Sequence, residues 1–232
     1  MEENKIDNLL RIIVEEYIKT ASPVGSGLVV FKYLPDVSSA TIRNYMAELE
    51  ERDLIFQPHT SSGRVPTTKG YQYYINNFVI GGKSKNKKRE GLKALSIEEG
   101  VDESPVKSLA KKIADISGEV VLVSSNSGDV YYTGISNLFR QPEFAHQELV
   151  NDMSDVIDNL DELMDGIFED IDSSAQIMIG PENPFGEESS AVIARYESGS
   201  DEGVIGILGP NRMNYRENME LIDLARKILS NL

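Results

Sequence analysis

The stretch from residue 38 to residue 74 constrains the fold more than any other part of this chain. It begins with two serines, which are followed by apolar residues at helical spacing, and this pattern predicts a capped amphipathic helix. A short apolar segment, 54–56, then leads into a polar segment with a glycine, 57–64, which predicts a hairpin. Helical spacing returns from Thr67. A helix followed by a hairpin with a basic, hydroxyl-rich tip is typical of the winged form of the helix-turn-helix.

Two shorter helices are predicted upstream, over 4–20 and 25–33, with a break at Pro23, because proline lacks a backbone donor and restricts its neighbour. Together with the helix from Ser38 to about Asp53, they predict a compact core of three helices. In the second helix, the side chains expected to point inward are those of Leu28, Val29 and Phe31.

The outer face of the Ser38 helix and the tip of the hairpin carry side chains suited to DNA. Because arginine pairs with guanine and asparagine with adenine, Arg43 and Asn44 are predicted to read bases in the major groove. A surface ion pair with Glu50 or another neighbour is the alternative role for Arg43. Hydroxyl and basic groups of the hairpin are expected to reach the DNA backbone or the minor groove. The predicted DNA-binding residues are Ser38, Ser39, Thr41, Arg43, Asn44, His59, Thr60, Ser61, Ser62, Arg64 and Lys69.

Charge is divided unevenly along the chain. The net charge of −15 argues against a nucleic-acid binder, but residues 1–90 hold 13 Lys and Arg against 11 Asp and Glu, or +2. Residues 91–232 hold 10 against 27, or −17. The net charge therefore does not argue against DNA binding by residues 1–90, because the acidic charge lies in residues 91–232. The acidic part is expected to repel DNA, so that contact is confined to residues 1–90.

Composition also divides the chain into domains. We expect a winged-helix DNA-binding domain over 1–80, a linker over 81–104 and a regulatory and dimerisation domain over 105–232. The linker is polar and has too little apolar surface to fold alone. Its basic cluster at 83–89 is either a contact with the DNA backbone or a solvated hinge.

The last part of the chain predicts an α+β fold. Five strand-like runs (119–124, 130–133, 175–179, 190–196 and 203–208) are grouped between helices that start at 105, 143 and 215. We expect a mostly antiparallel sheet with helices on one face.

The sequence gives little support for catalysis, metal binding or a membrane span. The chain has no cysteine and two histidines, His59 and His146, which are expected on the surface. The glycine run at 203–212 lacks the Gly-Lys-Ser/Thr ending of a phosphate loop and predicts a strand. Aspartates of the helix 143–170 lack the spacing of a calcium loop. We therefore expect no enzyme, no cofactor and no metal. Since no apolar run is long enough for a membrane span and no signal peptide is visible, we expect a cytoplasmic protein.

One known family shares a series of segments with this chain. In the N-terminal part these are ASPVGSGLVV and VSSATIRNYMAELEERDLIFQPHTSSGRVPTTKGYQYYINNFV; downstream they are GISNLFRQPEF (134–144), IGPENP (179–184) and GILGPNRMNY (206–215). By these segments the chain resembles the HrcA family of bacterial heat-inducible transcription repressors.

The resemblance implies a repressor that binds as a homodimer to an inverted-repeat operator in double-stranded DNA ahead of chaperone genes and is released on heat stress. When bound, it would be associated with the nucleoid. It also implies a GAF-like second domain with an inserted dimerisation region, and support of DNA binding by the GroE chaperonin. No cofactor is implied.

The chain departs from the family pattern in its middle. The family has a long segment between the first strand of the sheet and the GISNL-type motif, whereas here 119–125 runs almost directly into 130–134. The inserted region is therefore expected to be largely absent and the GAF-like domain reduced. Because an inverted repeat needs two-fold symmetry, we expect dimerisation through the helix at 67–80, an edge of the second domain, or both.

Two other functions stay open. A small-molecule-sensing winged-helix repressor would bind its ligand in the second domain, between 192–196 and 206–210. A protein-interaction module that has lost DNA binding is less well supported, because the reading helix and hairpin are intact.

Overall fold

The computed structural model describes residues 3–80, 104–125, 129–198 and 201–231. The chain divides into two compact units, Met1–Gly82 and Lys83–Leu232, which are described separately below. The predicted linker, 81–104, lies outside the described residues except for Ser104. Within the described part of the chain, no helix combines the length and apolarity needed to cross a membrane.

The first unit contains four helices and a two-stranded antiparallel ribbon. Its elements are α1 (Glu3–Thr20), α2 (Ser26–Lys32), α3 (Ser39–Glu51), β1 (Ile55–Phe56), β2 (Val65–Pro66) and α4 (Thr68–Tyr74), which continues as a π-helical turn over Ile75–Val79. The predicted order of helices and hairpin strands is confirmed. In the ribbon Ile55 pairs with Pro66 and Phe56 with Val65, so the eight residues 57–64 form the connection.

Apolar side chains of all these elements meet in one core. The buried face of α3 consists of Ile42, Met46 and Leu49, as the spacing predicts. It packs against α1 and α2, and α1 also contacts α4 and β2. Since α1 contacts α3, α4 and β2, the hairpin and α3 are both held to the same helix.

A buried carboxylate joins α1 to α2. Glu16 is 3% exposed and accepts hydrogen bonds from Lys32 Nζ at 2.9 and 2.8 Å and from the Tyr33 hydroxyl. The hydrogen bond from Lys32 holds the pKa of Glu16 below its usual value. A buried charge is tolerated here because it is paired and hydrogen-bonded.

The prediction for α2 was wrong in part. Val29 is fully buried, but Leu28 is 39% exposed and Phe31 is 87% exposed. The helix has only seven residues, and only the face that carries Val29 reaches the core. The positions i and i+3 of a helix share a side, so Leu28 and Phe31 point outward together.

The second unit is built on a five-stranded sheet. Its elements are α5 (Pro105–Ser117), β3 (Val120–Ser125), β4 (Val130–Thr133), α6 (Ile135–Leu138), α7 (Gln147–Asp158), α8 (Leu160–Ile167), β5 (Gln176–Ile179), β6 (Ser189–Ser198), β7 (Asp201–Pro210) and α9 (Tyr215–Leu229). Short 3-10 turns lie at Pro142–Ala145 and Phe168–Asp170. The single helical region expected from 143 to 170 is thus broken, and Asn159, with φ −107° and ψ 18°, separates α7 from α8.

All strands of the sheet pair antiparallel, in the order β4-β3-β7-β6-β5. The expectation of helices on one face only was wrong. One face of the sheet, with Leu122, Ile193 and Leu208, is buried with residues of α6, α7 and α8. On the opposite face, Ser190 of β6 lies 3.2 Å from the hydroxyl of Tyr215 in α9. Both faces are covered, which explains why β6 and β7 read as continuous apolar runs.

Candidate nucleic-acid interface

The N-terminus of α3 is capped by a side chain from the predicted set. Ser38 is the N-cap residue, and its hydroxyl accepts a hydrogen bond from the backbone N–H of Thr41 at 3.1 Å. The Thr41 hydroxyl lies 2.9 Å from the same oxygen. A cap of this kind contributes about 1 kcal/mol to helix stability. Ser38 therefore fixes the start of the helix, while it stays exposed itself.

A chain of hydroxyls leads from α2 to the exposed arginine of α3. Nη1 of Arg43 donates to the Ser39 hydroxyl at 3.0 Å, and that hydroxyl lies 2.9 Å from the hydroxyl of Ser26. Arg43 and Asn44 are both exposed on the side of α3 opposite the buried row. The guanidinium of Arg43 is thereby held by one hydrogen bond, while the residue as a whole stays exposed.

The alternative role of Arg43, an ion pair with Glu50, is not observed, because Glu50 is paired with Arg64. Oε1 of Glu50 lies 3.0 Å from Nε of Arg64. The contact is an ion pair rather than a directed hydrogen bond, because Nε of Arg64 has no partner of hydrogen-bonding geometry among the described residues. Among residues 3–80, no carboxylate is recorded within ion-pair distance of Arg43.

The tip of the hairpin is shaped by its own hydrogen bonds. The Ser62 hydroxyl donates to the carbonyl of His59 at 2.7 Å, and the Ser62 backbone N–H donates to the same carbonyl at 2.9 Å. Gln57 Nε2 donates to the Ser62 carbonyl at 3.0 Å, and Ser61 adopts a left-handed φ of 78°. The side chains of His59, Thr60 and Ser61 are exposed, so the predicted surface position of His59 is confirmed.

Arg64 sits at the base of the hairpin rather than at its tip. Its backbone exchanges two hydrogen bonds with Val24, at 2.8 and 2.9 Å, and its side chain is half-buried. Gly63 fits beneath this bridge because a Cβ there would lie 2.4 Å from the carbonyl carbon of Val24. Lys69, in the first turn of α4, is exposed.

Few positive charges on the first unit are available to DNA. Residues 1–82 hold 8 Lys and Arg against 10 Asp and Glu, so the excess counted over 1–90 comes from the five basic residues at 83–89. Those five lie outside the described residues. Within residues 3–80, carboxylates lie within 4.0 Å of four cations, which are Arg11, Lys32, Arg52 and Arg64.

The packing roles of three small residues of this region were missed by the sequence analysis. Ser26 supports Ser39, Gly63 allows the bridge to Val24, and Gly70 allows α4 to approach Leu54, directly before β1. A Cβ on Gly70 would lie 1.9 Å from the carbonyl oxygen of Leu54. Their small size was the only signal of these roles in the sequence. A small residue allows a neighbour to approach closely, but the sequence does not show which neighbour does so.

The predicted position of a small-molecule site, between 192–196 and 206–210, was wrong. Segments 192–196 and 206–210 belong to β6 and β7, which pair directly, with Val192 opposite Ile207. Buried side chains and hydrogen-bonded backbone fill the space between them. Groups of three or more potential metal-ligating side chains are absent from the described residues.

The family model and two curated relatives that match this chain all carry the name HrcA. A protein-family model described as the HrcA protein C terminal domain matches residues 71–219, which is 149 of the 232 residues. Heat-inducible transcription repressor HrcA of Halalkalibacterium halodurans is 25% identical over 328 residues, covering 97% of this chain and 95% of the relative. The repressor of the same name from Bifidobacterium animalis subsp. lactis is 37% identical over 119 residues, covering 51% of this chain and 32% of the relative.

A solved structure has the same fold. A crystal structure described only as that of a hypothetical protein covers 98% of this chain and 97% of its own chain, with a TM-score of 0.76. At 17% sequence identity, this likeness concerns the fold alone.

The class that these findings define is that of transcription repressors, which are not enzymes. The chain belongs to the HrcA family, whose curated relatives are named heat-inducible transcription repressors. Because 97% of this chain is about 225 residues, about 103 of the 328 residues aligned with the first relative have no counterpart here. The chain is thus a shortened form.

Proposed function

We propose that this chain represses transcription by binding double-stranded DNA through a winged helix-turn-helix formed by residues 1–80. In this proposal α3 enters the major groove, and the hairpin connection 57–64 reaches an adjacent backbone or the minor groove. The target is an inverted-repeat operator ahead of chaperone genes, and repression ends on heat stress.

One observation carries the proposal: α3 is amphipathic in the way that a reading helix must be. Its buried side holds it to the core, while Arg43 and Asn44 stand exposed on the other side. The single hydrogen bond that Arg43 donates to Ser39 leaves further guanidinium donors of Arg43 for a guanine edge. In the proposal Arg43 and Asn44 read bases, at about 1–3 kcal/mol of discrimination each.

The other members of the set hold the protein to the backbone. Ser38, Ser39 and Thr41 lie in the first turn of α3, where backbone N–H groups and the helix dipole also favour a phosphate. In the proposal the exposed side chains of the hairpin tip and of the first turn of α4 contact phosphate or the minor groove, and they are His59, Thr60, Ser61 and Lys69. Ser62 and Arg64 take part by holding the hairpin in shape, since Ser62 is hydrogen-bonded within it and Arg64 is paired with Glu50 of α3.

Two copies of the chain act together in this proposal. An inverted repeat presents two half-sites related by a two-fold axis, which a homodimer matches. Because the chain lacks about a hundred residues of its full-length relatives, the contact has to come from the helix at 67–80 or from an edge of the second sheet. The two edge strands of that sheet are β4 and β5.

Release of the operator on heating depends on the second domain, 105–232, which we propose is GAF-like and marginally stable. The GroE chaperonin would restore the domain after unfolding and so support operator binding. A direct test compares operator binding after mild heating with and without added chaperonin. Equal recovery in both samples would remove the chaperonin from the proposal.

The main test is selection of bound sequences from random duplex DNA by the full chain. The expected product is an inverted repeat whose half-sites are lost when Arg43 is replaced by alanine. Lys5→Ala is the matched control, because Lys5 is an exposed cation of α1 outside the DNA-binding set. Recovery of no enriched sequence, or equal effects of the two substitutions, would contradict the proposal.

A further inference from the structure

A cavity of about 290 Å³ opens beside α7 in the second unit. It lies between that helix and the loop that leads into β6. Its lining residues come from five segments. Two residues precede α7, four belong to α7, four form the loop, and one belongs to each of β6 and β7: Glu143 and Phe144; Leu149, Asp152, Met153 and Val156; Phe185 to Glu188; Ser189; and Pro210. Ligand pockets in proteins begin at about this size.

The floor of the cavity is apolar and buried. Phe185 is 1% exposed and Met153 is 4% exposed, and both belong to the core beneath the sheet. The principal contacts of α7 are with the turn at 142–145 and with α8. Since α7 stands off the strands, part of its apolar side, including Leu149 and Val156, is left half-exposed above this floor.

One wall of the cavity is preformed by a braced loop. Nδ2 of Asn183 donates to the carbonyls of Gly186 and Ser189, each at 2.8 Å. The backbone N–H of Phe185 donates to Oδ1 of Asn183 at 3.3 Å. Asn183 is itself buried, so these bonds hold the loop open without help from solvent. A site that is already shaped costs little ordering entropy on binding.

The rim of the cavity is negative. Four carboxylates line it, those of Glu143, Asp152, Glu187 and Glu188, and its lining contains no Lys, Arg or His among the described residues. The neighbouring cation, Arg212, already binds Glu143 through Nε at 2.5 Å and Gln141 through Nη2 at 2.7 Å. Among the described residues, no ion pair is recorded for Asp152, Glu187 or Glu188.

We propose that this cavity binds a small organic cation that has an apolar body and one ammonium or guanidinium group. The apolar body would cover Phe185 and Met153, where it is removed from water, which favours binding. The cationic group would lie at the rim near Asp152 and Glu188, whose charges are not neutralised by a protein cation. An anion of the same shape is excluded, because it would meet the carboxylates at close range.

This site is separate from the DNA-binding residues, all of which belong to the first unit. Ligand binding and DNA binding can therefore fail independently of each other. A ligand that binds only the folded second unit also stabilises that unit by mass action. The chain would then sense a metabolite of this chemical class in addition to temperature.

The experiment uses the full chain, with methyl-labelled methionine and 2-phenylethylamine as the probe. Met153 reports on the floor of the cavity, and its methyl signal is assigned with Met153→Leu. We expect a saturable shift of this signal with a dissociation constant of about 1 mM or below. Phenylacetate, which has the same ring and the opposite charge, is expected to cause no saturable shift.

Two variants test the role of the rim. Asp152→Asn combined with Glu188→Gln is expected to weaken binding of the amine by about tenfold or more, since about 1.4 kcal/mol corresponds to a factor of ten. Asp158→Asn, an exposed position of α7 outside the lining, is the matched control and is expected to change nothing. Equal binding of amine and carboxylate, an equal effect of the two sets of substitutions, or no saturable shift at about 10 mM amine would each overturn the proposal.

Discussion

The carboxylate of Glu50, near the end of α3, lies 3.0 Å from Nε of Arg64 at the base of the hairpin. This ion pair connects the two elements that the proposed interface needs, the reading helix and the hairpin. Both side chains are partly buried, with 21% of Arg64 and 30% of Glu50 exposed. The pair therefore ties the base of the hairpin to α3, whereas Arg43 of α3 stays exposed.

The first prediction separates a structural from a direct role of Arg64. Arg64→Ala is expected to weaken binding to all duplex DNA roughly equally, because the hairpin loses its tie to α3. If the tie is the cause, Glu50→Gln has the same effect, and the loss of stability is at most about 1 kcal/mol after solvent screening is allowed for. Gel shifts on matched and random duplexes measure both variants. Stronger DNA binding by Glu50→Gln would show instead that Arg64 contacts phosphate directly.

A second prediction concerns the hydroxyl chain behind Arg43. Arg43→Ala is expected to lower discrimination between operator and random DNA by about 1–3 kcal/mol. Ser26→Ala is expected to lower it by about 1 kcal/mol, although Ser26 itself reads no base, because Ser39 then loses one of its hydrogen-bond partners. Competition gel shifts give the ratio of specific to non-specific affinity. Ser22→Ala, a nearby exposed serine, is the control. An unchanged ratio in Ser26→Ala would remove the positioning role.

The third prediction compares two glycines of the first unit. A Cβ on Gly70 would lie 1.9 Å from the Leu54 carbonyl oxygen, whereas a Cβ on Gly27 meets nothing within 4 Å. Gly70→Ala is expected to destabilise the unit by at least about 2 kcal/mol, since the backbone of Leu54, directly before β1, has to move. Gly27→Ala, within α2, is expected to stabilise it by up to about 1 kcal/mol. Hydrogen exchange of the α3 amides measures both changes. Equal effects of the two substitutions on hydrogen exchange would mean that Gly70 of α4 is not in close contact with Leu54.

Much of this architecture could be predicted from the sequence because its signals are local. The spacing of Ile42, Met46 and Leu49 predicted the buried side of α3, and Ser38 predicted its cap. A glycine after an apolar helical pattern is typical of a helix end, and Gly118, which ends α5, has the left-handed φ of 73° that favours glycine there. Each of these depends on neighbours within one turn of chain.

Features that depend on distant partners could not be read in this way. Glu50 was weighed as a partner of Arg43, but its partner is Arg64, which is brought near by the return of the hairpin. Phe31 was expected inside because it is apolar, and only the packing of α2 decides that its face is left outside. The second face of the sheet is covered for the same reason, since the sequence does not say on which side a helix crosses.

The last prediction follows from a buried acid at the start of β3. Glu119 is 6% exposed, and its Oε2 has no hydrogen-bond partner among the described residues. Burial raises the pKa of Glu119 to about 8; the positive charge of Arg212 opposes this rise, and the negative charge of Glu143 adds to it. In the unfolded chain the same carboxyl titrates near 4.5. Between these two values the folded state binds more protons than the unfolded state, so stability falls as pH rises.

The Glu119 contribution to stability is therefore complete below about pH 4.5, is lost as the pH rises to about 8, and is constant above that. The total is on the order of several kcal/mol. Glu119→Gln keeps the shape without the titrating proton, so it is expected to be close to the parent chain at about pH 5 and clearly more stable at about pH 9. Urea unfolding of the second unit at a series of pH values measures this difference. Glu148→Gln, at an exposed site of α7, is the control and is expected to parallel the parent chain. Parallel curves for Glu119→Gln as well would show that Glu119 is not held in its neutral form.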